Sequence, residues 1–220
     1  MCGRITFTTS VAFVAGTFRA ATEVEYPKRY NIAPSQMVPI VTAKDGKHRE
    51  ISLMKWGLIP PWAKDPSIGH HMINARAETI TEKPSFKVSY QKQRCIVPAT
   101  GFYEWKDEGS TKQPYYIHPS SADLLAIGGL WESWEDPDHL IESFTIITTQ
   151  ANDFMRQIHD RMPVIIQADY YEQWLNCREF AGQDVDHLLK ASPNDLLSAY
   201  SVSRYVNDPV HDSRECIRPT

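Results

Sequence analysis

The sequence predicts an α+β fold: one compact domain over residues 1–220, built on a curved, barrel-like, mostly antiparallel sheet with short peripheral helices. Three observations carry this expectation. The length of 220 residues suits a single domain. Fifteen prolines cut the chain into short elements, which excludes a long-helix architecture. The β-rich runs succeed one another with connections mostly too short for βαβ crossovers. Whether the sheet closes on itself cannot be read from these patterns.

Taken in order, GRITF alternates like a strand, and residues 10–19 suit a short amphipathic helix. MVPIVTA, KDGKHRE and ISLMKWGLI read as a hairpin with Asp45-Gly46 in its connection. SFKVSYQKQ suits a short helix. RCIVPATGFYEWK, QPYYIHP, LLAIGGLW and SFTIITT are strand runs separated by turn chemistry. ANDFMRQIHD predicts a helix capped by Asn152, MPVII a strand, ADYYEQWL and DVDHLL helices, and LLSAYSVS a closing strand.

Hydrophobic content of 42% and charged content of 23% are ordinary for a soluble globular chain. No apolar run is long enough to span a bilayer, and no secretory signal heads the sequence. Four scattered cysteines without a CxxC pair suggest neither a zinc site nor a disulfide framework, so a reducing, cytoplasmic setting is expected. The net charge of −4 argues mildly against nucleic acid, but its distribution is uneven. Asn74 to Arg94 carries Arg76, Lys83, Lys87, Lys92 and Arg94 against Glu78 and Glu82, whereas Trp131 to Glu142 carries Glu132, Glu135, Asp136, Asp138 and Glu142 with no Lys or Arg. Ordinary solvated faces are the plain alternative.

Cys2 stands directly behind Met1. A small residue at position 2 normally permits removal of Met1, leaving Cys2 with a free α-amine beside its thiol. No internal cysteine offers such a 1,2-aminothiol, and frayed termini place no packing demand for one. Glu104, in GFYEWK, is a carboxyl in an aromatic run; desolvation there raises a carboxyl pKa and suits a general acid. Strand parity puts Glu104 with Phe102, and Tyr103 and Trp105 on the opposite face. His159, in IHDRMP, is a proton carrier on a loop. Asn74 and Arg76, in MINARAET, suit orientation of a sugar and binding of a phosphate; helix capping by Asn74 is the alternative. No P-loop, GxGxxG, GxSxG or HExxH is present.

MCGR, RYNIAP, NARAET, GFYEW and HDRMP occur in this order, followed by VSRYVNDPVHDSRECIRP. Together they resemble the SOS-response-associated peptidase family, whose members act as abasic-site processing proteins on DNA. The resemblance spans residue 2 to about 219. One departure is His211, where the family often has Asn. The resemblance implies a curved α+β sheet with a positive groove for single-stranded DNA, no cofactor or metal, a monomer, and a cytoplasmic place, nucleoid-associated in a bacterium. It carries catalytic roles to Cys2, Asn74, Glu104 and His159. DNA contacts carry to Arg4, Arg76, Trp105 and Arg161, and less securely to Trp62 in PPWAK.

The implied activity is a covalent thiazolidine crosslink from Cys2 to an abasic sugar, with associated lyase chemistry and self-removal of a leader, which here is Met1 alone. Two readings compete. An N-terminal-nucleophile glutaminase also begins Met-Cys-Gly, with the thiol attacking a carboxamide. A non-catalytic module would bind exposed or modified bases reversibly through Trp105 and the basic stretch.

Overall fold

The computed structural model describes residues 2–220. The hairpin read around Asp45-Gly46 is present. Strand β4 (Met37–Thr42) pairs antiparallel with β5 (Arg49–Trp56), and Gly46 takes a left-handed φ of 82° while Asp45 accepts from the Lys47 and His48 amides. β4 also pairs with β7 (Arg94–Ala99), β7 with β10 (Leu125–Glu135), and β10 with β11 (Leu140–Gln150), all antiparallel. β11 then returns to β5 in parallel, through Ser143–Lys55 and Phe144–Trp56. These five strands form a closed ring.

Gly57 makes the closure possible. Its φ of 117° is open to glycine, its N–H donates to Phe144 O at 2.8 Å, and a Cβ there would lie 2.4 Å from Gly69 O. Short β2 (Ala20–Ala21) flanks β5, β6 (Asn74–Arg76) runs parallel beside β11, and β12 (Arg161–Pro163) pairs with the end of β11.

A second sheet has the order β13 (Leu197–Ser201), β9 (Lys112–Pro119), β8 (Gly101–Asp107), β1 (Ile5–Phe7), β3 (Arg29–Ile32). Ile5 lies opposite both Ile32 and Phe102. One face of this sheet sends Ile5, Phe102 and Ile117 into the same core as the barrel residues Val97, Leu130 and Ile146. Each such fully buried side chain stabilises the fold by about 1.5–3 kcal/mol. The opposite face packs Tyr103 and Tyr116 against Val202, Val206 and Cys216 of the C-terminal segment, with Trp105 at the margin. The period-2 alternation of β8 thus divides two cores, as its parity predicts.

The short helices lie outside. α1 (Val11–Phe18) is capped by Ser10, whose Oγ accepts from Phe13 N, and buries Val11, Val14 and Phe18 on one stripe. α2 (Pro84–Lys92) begins on proline and buries Phe86, Ser89 and Tyr90. α3 (Tyr171–Leu175) and α4 (Gly182–Val185) are shorter than the sequence suggests, each extended by a 3₁₀ turn.

The predicted helix over ANDFMRQIHD is a correction: only Met155–Gln157 forms a 3₁₀ turn. The N-cap position of this turn is Phe154, not Asn152; Asn152 Oδ1 accepts from Met155 N at 2.8 Å, while its Nδ2 donates to Ser192 O. Ala151 N donates to Asp160 O, which bends the segment into a closed loop. Arg94 leaves the basic face too, since it is buried in the core.

Candidate active site

Cys2, fully buried, enters β1 from the chain start, and its carbonyl accepts from Asn74 Nδ2 at 2.9 Å. Asn74 opens β6, beside Ile146 of β11, so it is a strand residue and not a helix cap. Its Oδ1 is buried without a hydrogen-bond partner among the described residues, which leaves an acceptor next to residue 2. Glu104 sits on β8 with 2% of its surface exposed, on the face shared with Phe102. The rings of Tyr103 and Trp105 lie on the other face, so it is the space between the sheets that desolvates the carboxyl. Burial pushes its pKa up, and the neighbouring His159 opposes this in part. The Cys2 thiol is pushed up as well, first by burial and then by the Glu104 charge, which places the two groups within electrostatic reach.

His159 Nε2 lies 3.9 Å from Glu104 Oε2. On the far side of the ring, Nδ1 is 3.0 Å from Arg161 N and 2.9 Å from Asp160 Oδ1. The backbone N–H can only donate, and the Asp160 side chain is largely exposed, so we assign Nδ1 as the acceptor. Nε2 then carries the ring proton and faces Glu104. Two strands, the segment leading into β1 and one loop, distant in sequence, thus bring Cys2, Asn74, Glu104 and His159 together. The constellation joins a thiol near the chain start, a carboxyl whose burial favours its neutral form, an imidazole and an amide.

The predicted DNA contacts fall into different settings. Arg76 is exposed at the end of β6. It shares an open depression of about 630 Å³ with Gln150, Ala151, Arg156, Asp160 and Arg161, next in the chain to His159. Arg161 is mostly buried and paired with Glu78. Arg4 donates to Asn31 Oδ1 at 2.6 Å and Val206 O at 2.9 Å, and lies 5.7 Å over the Trp105 ring. Trp105 Nε1 in turn donates to Asn207 Oδ1. Arg4 therefore fastens the chain start, and Trp105 fastens β8, to the C-terminal segment, whatever else they touch. Trp62 is 58% exposed on a separate turn, Pro60–Ala63. No group of three or more metal-ligating side chains occurs among the described residues.

The family profile for SOS response associated peptidase (SRAP) matches residues 1–209. The chain belongs to this family. It is 43% identical to abasic site processing protein YoaM of Bacillus subtilis, over 99% of this chain and 97% of that one. It is 33% identical to abasic site processing protein HMCES of Xenopus tropicalis, over 88% of this chain and 66% of that one. A crystal structure of a Bacteroides thetaiotaomicron protein superposes with a TM-score of 0.90 at 29% identity, with both chains fully covered.

Within this SRAP domain, sequence reasoning passed over two residues. Asn31, in RYNIAP, is fully buried; it accepts from Arg4, and its Nδ2 lies within bonding distance of Val206 O, Asp208 O and His211 O. It thereby holds the wall behind Arg4. Glu78, in NARAET, is the partner of Arg161. A carboxylate four residues from Asn74 in a basic stretch was the available signal.

Proposed function

We propose that this protein captures abasic sites in single-stranded DNA by forming a thiazolidine between the deoxyribose C1′ and the amine and thiol of Cys2, once Met1 has been removed. The substrate class rests on family membership and on the names of the YoaM and HMCES relatives. The chemistry rests on one observation above all: the Asn74 amide grips the Cys2 carbonyl, beside a buried glutamate that faces histidine.

An abasic deoxyribose is mostly a closed ring. Glu104, whose burial favours its protonated form, donates to the ring oxygen; the carboxylate so formed, steadied by the facing His159 Nε2–H, takes the C1′ hydroxyl proton, and the aldehyde is released. The Cys2 amine attacks C1′; a C–N bond forms, and the C1′ oxygen leaves as water. A terminal amine, with a pKa of about 7.7–8.0, is neutral often enough at pH 7 for this step. The thiol sulfur then bonds to C1′ and its proton passes to the nitrogen, closing a five-membered ring. Burial keeps that thiol protonated, so it adds together with its proton. Intramolecular closure gains an effective concentration of roughly 10⁵ M or more. The imine that would drive β-elimination and nick the strand is consumed. Asn74 fixes the Cys2 backbone through Nδ2 and offers Oδ1 to the amine.

A denaturing gel of protein with single-stranded oligonucleotide bearing one abasic site tests this reading. Wild type gives a heat-stable adduct. Cys2→Ser keeps the amine and gives an adduct only after borohydride reduction. Equal durability of the unreduced Cys2→Ser adduct overturns the thiazolidine.

A further inference from the structure

The Arg161 guanidinium borders the depression beside His159, yet its two-pronged end is already occupied. Nη1 donates to Glu78 Oε1 at 2.5 Å and Nη2 to Glu78 Oε2 at 3.0 Å, a bidentate pair. Nη2 also donates to the Thr148 carbonyl at 2.7 Å, which anchors the cation to β11. Nε is buried with no hydrogen-bond partner among the described residues. The Arg161 side chain is 11% exposed and that of Glu78 41%, so the carboxylate is the outer, more accessible half. Glu78 rides on a surface 3₁₀ turn, Ala77–Thr79, directly after exposed Arg76. Arg161 holds the Glu78 carboxyl below the usual range, so it stays charged near neutral pH.

An incoming phosphodiester therefore meets Arg161 with its bidentate edge filled by a group of the same charge and similar geometry. We infer that Glu78 is a latch on Arg161, a carboxylate that competes with the DNA phosphate for this guanidinium. The inference rests on the DNA partner proposed above. The exchange replaces one anion by another at a fixed cation, so no charge is left buried alone. Arg161 stays pre-positioned by Thr148, and Glu78 is the half that swings out. Arg76 and Arg156, on the same depression, attract the strand without a bidentate lock; among the described residues Arg156 has only a single 3.4 Å ion pair, to exposed Asp153. The latch lowers affinity for any polyanion passing through the groove and yields only to a strand seated well enough to displace it.

Fluorescence anisotropy with a labelled, undamaged oligothymidylate reads reversible binding apart from crosslinking. Glu78→Gln is expected to tighten binding roughly fivefold at 0.1 M salt. Glu78→Asp keeps the charge but shortens the reach, and is expected to tighten binding too, by a smaller factor. Both gains should vanish in an Arg161→Gln background and persist in Arg76→Gln. A Glu78→Gln gain of equal size in all backgrounds, with none for Glu78→Asp, would reduce Glu78 to a nearby charge and overturn the latch. Weaker binding by Glu78→Gln would make it a support for Arg161 and overturn it as well. Wild type that crosslinks abasic DNA while the Glu78 ratios stay at one loses the latch alone. Wild type that binds no single strand loses the proposed partner and the latch together.

Discussion

Arg94 and Glu104 are both charged residues taken almost completely out of water, with 1% and 2% of their surface exposed. Arg94 has its needs met. Nε donates to Trp174 O at 2.7 Å, Nη1 to Tyr90 O at 2.9 Å and Nη2 to Phe180 O at 2.7 Å, while the guanidinium stacks on Trp174. Two of those carbonyls close the last turns of α2 and α3, where the helix dipole welcomes a cation. Glu104 is set against a histidine at 3.9 Å and a cysteine thiol, in surroundings that push its proton affinity up. Burial by itself marks neither a strut nor a site. Burial penalises both charged forms; what distinguishes them is that three carbonyls satisfy the guanidinium of Arg94, which stays charged, whereas burial shifts Glu104 toward its neutral form.

Replacing each residue should therefore act on a different quantity. The largest effect expected is on rate: Glu104→Gln slows crosslinking by roughly 10²–10⁴, the range for loss of a general acid, measured by single-turnover gel assays. A loss under threefold would remove Glu104 from the acid role. Next, Arg94→Met leaves three buried carbonyls without donors and should cost about 3 kcal/mol or more in urea unfolding. The crosslinking rate of the folded fraction should not change.

The comparison is sharpened by pH. The Glu104 pKa is raised in the folded state, so the folded chain holds that proton more tightly than the unfolded chain. Its contribution is fully present below the unfolded value, about 4.3, and is lost as pH rises through the folded one. Glu104→Gln lacks this loss and should be more stable than wild type at pH 8, the difference shrinking toward pH 4 in matched urea melts. A variant less stable than wild type at pH 8 would place Glu104 with Arg94 as a structural charge. Smallest of all, Ser10→Ala removes the α1 cap and should cost about 1 kcal/mol, with crosslinking unaltered.

Much of this was legible in the chain. The alternation in GFYEWK put Glu104 on the Phe102 face, and β8 divides two cores accordingly. The motif order pointed to the same Cys2, Asn74, Glu104 and His159 that the fold gathers. The stretch before His159 misled: its period and cap suit a helix, but Asn152 and Ala151 spend their bonds on Ser192 and Asp160. Arg161 likewise reads as a free DNA contact until Glu78 is found on its fork.

From the sequence alone came the local matters: an aminothiol obtainable at residue 2, the strand periods, the Asp45-Gly46 turn, and a family likeness across the chain. Those depend on neighbours a few residues apart. Only the tertiary structure decided that β11 closes the barrel on β5, that Arg94 belongs to the core, and that Glu104 faces His159. Desolvation and hydrogen-bond satisfaction are set by groups that meet across long stretches of chain, and no local pattern encodes them.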